Sequence, residues 1–377
     1  MDNRVKKVAF VRNYWTGGGL EMALLNAGAL LNQDLGITPV LIINSKPEKD
    51  LGSMELIDLG IGKVGDFPIK GNLVNTSKYI YQLATYYLSL RKYVPWSDFD
   101  FVVALDPEIA FMLKKLCKNK PVVMWLHGSV RVLTTMGLWP LIRAGLKRCD
   151  SIIALNESMK NEIAEIYPPA VTKTFVIHNA VTIQPLGGVH NVTVKKIVYV
   201  GRLSNREKRL ERLLKSFSYF WQSHSDWKLC LVGDGPDREK LISLISELDL
   251  TGEVELAGWQ ENPWKYIRDT GGASFLALTS DYEGFPMVLC EALINQLPVV
   301  ALNCPVGPSE IVQNGVNGLL VPFGSQEEET IQNLVKAFSS IADGVVKFNE
   351  DELPASVARY LPPSVEKQWK DFLEGIC

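Results

Sequence analysis

KIVYVGRLSNREKRLERLLKSF, residues 196–217, decides the architecture. Its apolar start is β-branched and aromatic and stops at Gly201; a charged stretch follows in which Leu210, Leu213, Leu214 and Phe217 recur at helical spacing. That is a buried strand, a loop and an amphipathic helix. The loop carries Arg202 and Lys208 close to the helix start. A guanidinium fork and an ammonium point charge in that position suit a diphosphate. The structural alternative is a set of solvated helix-start charges shared with Arg206, Arg209 and Arg212.

Working outward, the same strand-then-helix alternation recurs in both directions. Before this stretch come KVAFV (7–11), TPVLIIN (38–44), DFVVAL (100–105), PVVMWLH (121–127), SIIAL (151–155) and TFVIHN (174–179); after it come WKLCLVG (227–233), EVELAG (253–258), ASFLAL (273–278), PVVALN (298–303) and GLLVP (318–322). Alternation of this kind predicts parallel α/β sheets. Between the two series, TIQPLGGVHNVTV (182–194) lacks periodicity and is the expected linker. With 377 residues, more than one typical core is expected. The expected organisation is a Rossmann-like domain over 1–182, a second over 183–350, and a helical tail over 351–377 packing back on the first.

Composition excludes several classes. The chain is 47% hydrophobic and 21% charged with a formal net charge of −3, which is no nucleic-acid footprint. Residues 1–180 carry 21 Lys and Arg against 16 Asp and Glu, and the remainder 18 against 26. A basic first half and an acidic second half fit domains with different partners, an anionic surface among them. The six cysteines show no CxxC spacing and read as reduced, buried thiols. No signal-peptide core or membrane-length apolar run is present, so a cytoplasmic protein is expected. The Asn75 and Asn191 sequons are then chance matches. The segment RVLTTMGLWPLIRAGLKRC (131–149) mixes apolar and basic residues and suits either a membrane surface or packing on the sheet.

In open parallel sheets, ligands bind beyond the carboxyl ends of the strands. After KVAFV, the glycines of GGGLE (17–21) allow close backbone approach at a helix start, although Met22 and Ala23 stand where a dinucleotide fingerprint has its third glycine. His127 ends another strand and, taken alone, suits a structural role as well as a functional one. Gly-Asp-Gly-Pro, with Gly235, and Gly258-Trp259-Gln260 follow two strands and can wall a nucleobase. In TSDYEGFPMVLCEAL (279–293) a buried run breaks on acid, Gly and Pro, then restarts as a helix. Pro286 suits the first helical turn, and the N–H groups of Phe285, Met287 and Val288 are expected to be free for an oxyanion. Glu283 before the helix and Glu291 inside it can accept from hydroxyls.

These pieces together resemble the retaining family-4 glycosyltransferases of GT-B fold, two Rossmann-like parallel-sheet domains facing a central cleft. The match rests on GGGLE, His127 in WLHGS, VIHNAV (176–181), GRLSNREK (201–208), VGDGP (232–236), the glutamate pair and GPSEI (307–311), in order over nearly the whole chain. AGWQENPW, LTSDYEGFPMVLCEAL, GPSEI and LPAS look similar to lipopolysaccharide-core galactosyltransferases that use UDP-galactose; related enzymes use UDP-glucose or UDP-N-acetylglucosamine. The resemblance implies that Arg202 and Lys208 bind the donor diphosphate. It implies that Glu291 holds the ribose, and that Glu283, with Gly284, Phe285, Pro286 and Met287, holds the donor sugar. Gly18 and Gly19 would approach the diphosphate, His127 the transferred sugar, and Glu21 and Asp106 the acceptor, a glycolipid or oligosaccharide. Arg209 departs from the pattern, which has glycine after the lysine. Asp98-Phe99-Asp100 spells a metal-binding DxD but precedes its strand, so no metal or other cofactor is expected. A UDP-sugar 2-epimerase and a degenerate, partner-binding relative are the alternatives; a dehydrogenase is disfavoured by the missing glycine.

Overall fold

In the computed structural model, residues 6–376 are described apart from 16–17, 46, 48–49, 63–72, 118 and 136–138, and the side chains of 73–78. Gly17, Met136 and Leu138, singled out in the sequence, lie outside the described residues. The chain divides into two compact units, residues 1–180 with 361–377, and residues 181–360.

The first unit runs β1 (Lys7–Arg12), α1 (Gly19–Gln33), β2 (Thr38–Ile43), β3 (Glu55–Asp58), α2 (Leu73–Tyr93), β4 (Phe101–Ala104), α3 (Ala110–Leu116), β5 (Val122–Trp125), α4 (Val130–Thr135), α5 (Trp139–Arg148), β6 (Ser151–Ala154), α6 (Glu157–Ile166) and β7 (Thr174–Val176). Its described strands pair in parallel in the order β3-β2-β1-β4-β5-β6-β7. Helices cover both faces, so central strands such as β4 and β5 are buried at every position and read as unbroken apolar runs. The edge strand β3 was not expected: Glu55-Leu56-Ile57-Asp58 has polar ends and only its two middle residues are half-buried. The order reverses between β1 and β4, and the chain beyond their carboxyl ends is where such a sheet binds ligands.

The second unit runs β8 (Lys196–Val200), α7 (Asn205–Lys208), α8 (Leu210–Trp221), β9 (Lys228–Val232), α9 (Arg238–Glu247), β10 (Val254–Gly258), α10 (Pro263–Asp269), β11 (Phe275–Leu278), α11 (Met287–Ile294), β12 (Val299–Leu302), α12 (Pro308–Ile311), β13 (Gly318–Val321) and α13 (Glu327–Ala342). Its order, β10-β9-β8-β11-β12-β13, places the reversal between β8 and β11. Gly233, after β9, sits so close to β8 that a Cβ would lie 1.9 Å from the Gly201 carbonyl oxygen; only glycine fits. Residues 181–195 are irregular but pinned to this unit. The Leu186 N–H donates to Asn295 Oδ1 at 2.8 Å, and His190 bridges to Ala273 and lies 3.0 Å from Glu350.

Two 3₁₀ turns, Glu350–Glu352 and Pro354–Tyr360, close the second unit, and α14 (Pro362–Ile376) belongs to the first. Trp369 of α14 is fully buried, edge-on to Trp125 of β5 at 5.6 Å. Phe372 packs on Phe175, and Gln368 accepts from the His178 N–H at 2.9 Å.

Asp100 of the DxD accepts the Lys6 and Lys7 N–H groups at 2.7 and 2.9 Å, which ties the start of β4 to the start of β1, the end of the sheet away from the strand-end loops. The five described cysteines are free and buried, and burial pushes the thiols of Cys117, Cys230 and Cys304 up to about 12 and Cys149 to about 11. On α5, Ile142 and Leu146 are buried while Arg143 and Lys147 are exposed, and Gly145 leaves no room for a side chain against Met124. The apolar stripe of that helix is therefore used inside the unit. Among the described residues no helix is long and apolar enough to cross a membrane.

Candidate active site

In the second unit, the two loops flanking the strand reversal bring separate sequence motifs together. Lys208, the last residue of α7, places Nζ 2.7 Å from Glu283 Oε1 in the loop after β11. Ser280 Oγ donates to the same oxygen at 2.6 Å. The Glu283 side chain is 9% exposed and that of Lys208 22%, so the pair works at lower effective dielectric than a surface pair. Arg202, just past β8, is 56% exposed and pairs with Glu207 at 2.6 Å; Glu207 in turn accepts from Ser204. Two bonds to main-chain carbonyls lock the turn: the Asp281 N–H donates to the Glu207 carbonyl at 3.0 Å, and the Thr279 hydroxyl donates to the Lys208 carbonyl at 3.1 Å.

The chain bends at Arg209, which stands in the left-handed region at φ 52°, ψ 47° between α7 and α8. This explains why the resembled pattern has glycine there: the break between the helices needs a conformation that a Cβ disfavours. The helix expected near Lys208 is thus two helices joined by this bend.

Pro286 caps α11, and Gly284, Phe285 and Met287 are buried while Val288 is half-buried. One expectation fails here: the Met287 N–H is not free, because the chain turns tightly at Pro286 and that N–H donates to the Phe285 carbonyl at 2.9 Å. GPSEI explains itself structurally. Gly307, at φ 103°, lies against this loop so closely that a Cβ would sit 2.6 Å from Pro286 Cδ.

Glu291, on the next turn of α11, accepts from Trp264 Nε1 at 3.1 Å. Burial raises its carboxyl above the ordinary range, against the lowering effect of the indole N–H. A buried indole N–H needs an acceptor, and for Trp264 that need was the available signal of this contact. Gly258, at φ 71°, has open space around it, and the Trp259 ring is 71% exposed beside it. Gln260 is folded back onto the Ala257 carbonyl. Gly235 packs on the backbone of Leu203, where a Cβ would lie 2.4 Å from its oxygen, so on that side it serves loop packing and offers no face to a base.

In the first unit, the residues beyond β1 and β4 form a buried polar cluster. Arg12, at the end of β1 and absent from the sequence-based set, donates from Nη2 to Glu21 Oε1 at 2.8 Å and lies 3.9 Å from Asp106. Glu21 Oε2 accepts from the Gly18 N–H at 2.8 Å and so caps the start of α1. Glu21 is 1% exposed, and its bonds to Arg12 and to the Gly18 N–H brace the glycine turn. Gly19 is open, with nothing within 4 Å of a Cβ position among the described residues. Asp106 accepts from the Asn13 N–H at 2.5 Å; burial raises its carboxyl, while Arg12 and that N–H oppose the rise. Tyr86 of α2 donates to the Arg12 carbonyl at 3.1 Å.

His127 follows β5 with its ring 4.4 Å from that of Trp125. Its Nε2 is buried without a hydrogen-bond partner among the described residues, and burial, then the Arg12 charge, lowers its pKa to about 3. The ring is therefore neutral near pH 7.

Family comparisons complete the description. Residues 17–184 match the model of Glycosyltransferase Family 4, and residues 187–341 match Glycosyl transferases group 1. The chain belongs to the GT-B glycosyltransferases. This glycosyltransferase is 28% identical over 368 residues to the lipopolysaccharide 1,6-galactosyltransferase of Escherichia coli K12, covering 94% of each chain. Its fold is shared with the lipopolysaccharide outer core galactosyltransferase WaaB in its apo form, at TM-score 0.73 and 23% identity over 98% of this chain and 99% of that one. It is shared equally with HepE of Anabaena in complex with UDP-glucose, at TM-score 0.72 and 18% identity over 98% and 99%.

Proposed function

We propose that this glycosyltransferase moves a hexosyl group from a UDP-sugar to a hydroxyl of a lipopolysaccharide or other cell-surface glycan, with the anomeric configuration retained. Galactose is the favoured donor sugar, ahead of glucose and N-acetylglucosamine. The observation that carries this reading is the Lys208–Glu283 pair across the strand reversal of the second unit, flanked by Arg202 and Glu291. It puts two cations and two carboxylates at the one end of the sheet where an anionic, hydroxyl-rich ligand is expected. The named activity of the Escherichia coli relative, similar over nearly the full length, supports the galactosyl and lipopolysaccharide parts.

In this reading Arg202 and Lys208 take the diphosphate, and Lys208 exchanges Glu283 for a phosphate oxygen as the donor binds. Glu283, with the buried Gly284–Met287 turn, then faces sugar hydroxyls, which donate to it. Glu291, oriented by Trp264, accepts from the ribose, and the exposed Trp259 ring beside Gly258 and Gln260 offers a wall to the base. In the first unit His127 meets the transferred sugar, Gly18 and Gly19 approach the diphosphate, and Glu21 and Asp106 lie on the acceptor side, with Arg12 beside both carboxylates.

The bond from the anomeric carbon to the β-phosphate oxygen breaks as negative charge grows on that oxygen, and Arg202 and Lys208 stabilise the charge. The acceptor oxygen attacks the same face, and its proton passes to the departing phosphate. His127 is uncharged and adds no charge to an oxocarbenium-like centre. No metal is required by this scheme, so activity should persist in EDTA, and strict Mn²⁺ dependence would overturn that part.

Peripheral attachment to the inner face of the membrane, where glycolipid acceptors reside, belongs to the same reading. It is supported by Ile80, Tyr81, Leu88 and Tyr93, exposed on α2 beside the cations Arg91 and Lys92. Flotation with anionic vesicles tests it.

The deciding experiment is calorimetry with UDP-galactose, UDP-glucose, UDP-N-acetylglucosamine and GDP-mannose, followed by product analysis. Binding of uridine donors with UDP-galactose tightest, and sugar found on the acceptor, is expected. Preference for GDP-mannose overturns the donor, and free epimer without transfer overturns the reaction.

A further inference from the structure

We propose that Arg212 and Arg209, with Asp281 and Glu327, form an ion-paired clasp that positions Lys208 against Glu283; the inference rests on the donor-binding reading of that pair. The starting observation is Arg209 in a left-handed conformation. A residue with a Cβ stays there only when its surroundings hold it. Here Arg209 Nε lies 3.3 Å from Asp281 Oδ2, and its Nη2 lies 3.2 Å from Glu327 Oε1.

Arg212, one turn on in α8, ties the same carboxylates. Its side chain is only 3% exposed. Nη1 lies 2.8 Å from Asp281 Oδ1 and donates to the Thr279 carbonyl at 2.9 Å, while Nε and Nη2 fork Glu327 at 2.9 and 2.7 Å. The guanidinium also lies 5.3 Å from the Phe323 ring. A charge this deeply placed persists because it is paired and hydrogen-bonded; what it contributes over an apolar filler is a defined geometry.

That geometry is the spacing between two loops. Arg209 adjoins Lys208 in sequence, and Asp281 lies two residues before Glu283. Pinning Arg209 and Arg212 to Asp281 therefore pins the cation-bearing bend to the carboxylate-bearing loop, and Glu327 at the start of α13 holds both guanidinium groups from outside. Each of the three guanidinium nitrogens of Arg212 is turned to one of these partners rather than to the donor site. Arg212 is thus a positioning residue: it acts on the donor through Lys208.

The test uses Glu327→Gln and Arg212→Lys in the full chain, with UDP alone as the binding probe and UDP-galactose for steady-state kinetics. Gln keeps the size of Glu327 but loses its charge, and Lys keeps the charge of Arg212 but cannot fork. If the clasp positions Lys208, each variant unfolds cooperatively, binds UDP about 10-fold more weakly and raises KM for the donor by a similar factor, with kcat reduced less. UDP affinity and KM within about 2-fold of the parent in both variants, with the fold intact, overturn the inference. A purely structural role predicts that too: a lower unfolding midpoint with unchanged KM. Lys208→Ala separates the two levels. If it leaves UDP binding unaltered, the donor-site reading itself fails; if it abolishes binding while the clasp variants do not, only the clasp fails.

Discussion

Lys208 and Glu283 are 75 residues apart in sequence, and their side chains meet at 2.7 Å at the strand reversal of the second unit. Each is the other's charge partner in a half-buried setting, so neither can be removed silently. Lys208→Ala should lower kcat/KM by about 10²–10³-fold, the range for losing one group that stabilises growing negative charge. Circular dichroism should show the fold retained. Turnover within a factor of about 3 of the parent would remove Lys208 from the chemistry.

Arg202 makes a different case. It is 56% exposed and, among the described residues, its side chain pairs with Glu207. Arg202→Ala should therefore cost at most about 0.5 kcal/mol of stability while turnover falls by orders of magnitude. An unchanged rate would sink its assignment.

Glu291 gives a pH signature. Burial raises its carboxyl, so the folded state prefers the neutral form more than the unfolded chain does. Its contribution to stability is then present below the unfolded pKa and lost as pH rises through the folded one. Ribose hydroxyls, by contrast, are accepted best by the ionised form. UDP affinity should rise with pH through the acidic range, over an interval above that of an ordinary glutamate, and Glu291→Gln should flatten the rise. Trp264→Phe removes the indole donor and should push the interval higher still. A pH-independent UDP affinity in the parent would contradict the role.

His127 titrates in the opposite sense. With its folded pKa lowered to about 3, the unfolded chain takes up a proton below an ordinary value of about 6.5 and the folded chain does not. Stability should fall as pH drops from about 6.5 toward 3, and His127→Gln should lessen the slope. The ring protons of His127 should show no titration by NMR between pH 5 and 8, whereas a midpoint near 6.5 would refute the buried, neutral imidazole.

Arg12 holds the first unit's cluster. Removing it takes the cation from the buried Glu21 carboxylate and from beside Asp106. Arg12→Met should destabilise by about 3–5 kcal/mol, and adding Glu21→Gln should recover part of the loss. A chemical-denaturation difference under about 1 kcal/mol would mean that water reaches the pair.

Much of the fold was legible because parallel strands buried on both faces leave largely apolar runs, and twelve of the described strands coincide with the strand-like runs read from the sequence. The edge strand Glu55–Asp58 was not, since an edge needs little apolar surface. Within the site, Arg202, Lys208, Glu283 and Glu291 stood out as charges at strand ends. Arg12 did not, because an arginine closing an apolar strand looks like any surface cation until its carboxylate partners, far along the chain, are brought to it. The bonds of Glu21 to Arg12 and to the Gly18 N–H were hidden for the same reason.

By itself, then, the sequence determined the alternation of strands and helices, the repeated α/β plan and the strand-end loops that carry charge. Periodicity and propensity act over a few residues and are written locally. The tertiary structure alone decided which charges are partners. It turned Arg209 into a left-handed bend held by Asp281 and Glu327, and it closed Met287's N–H onto Phe285. Pairing energy falls steeply with distance and exposure, and both quantities exist only once the sheet order has set which loops are neighbours.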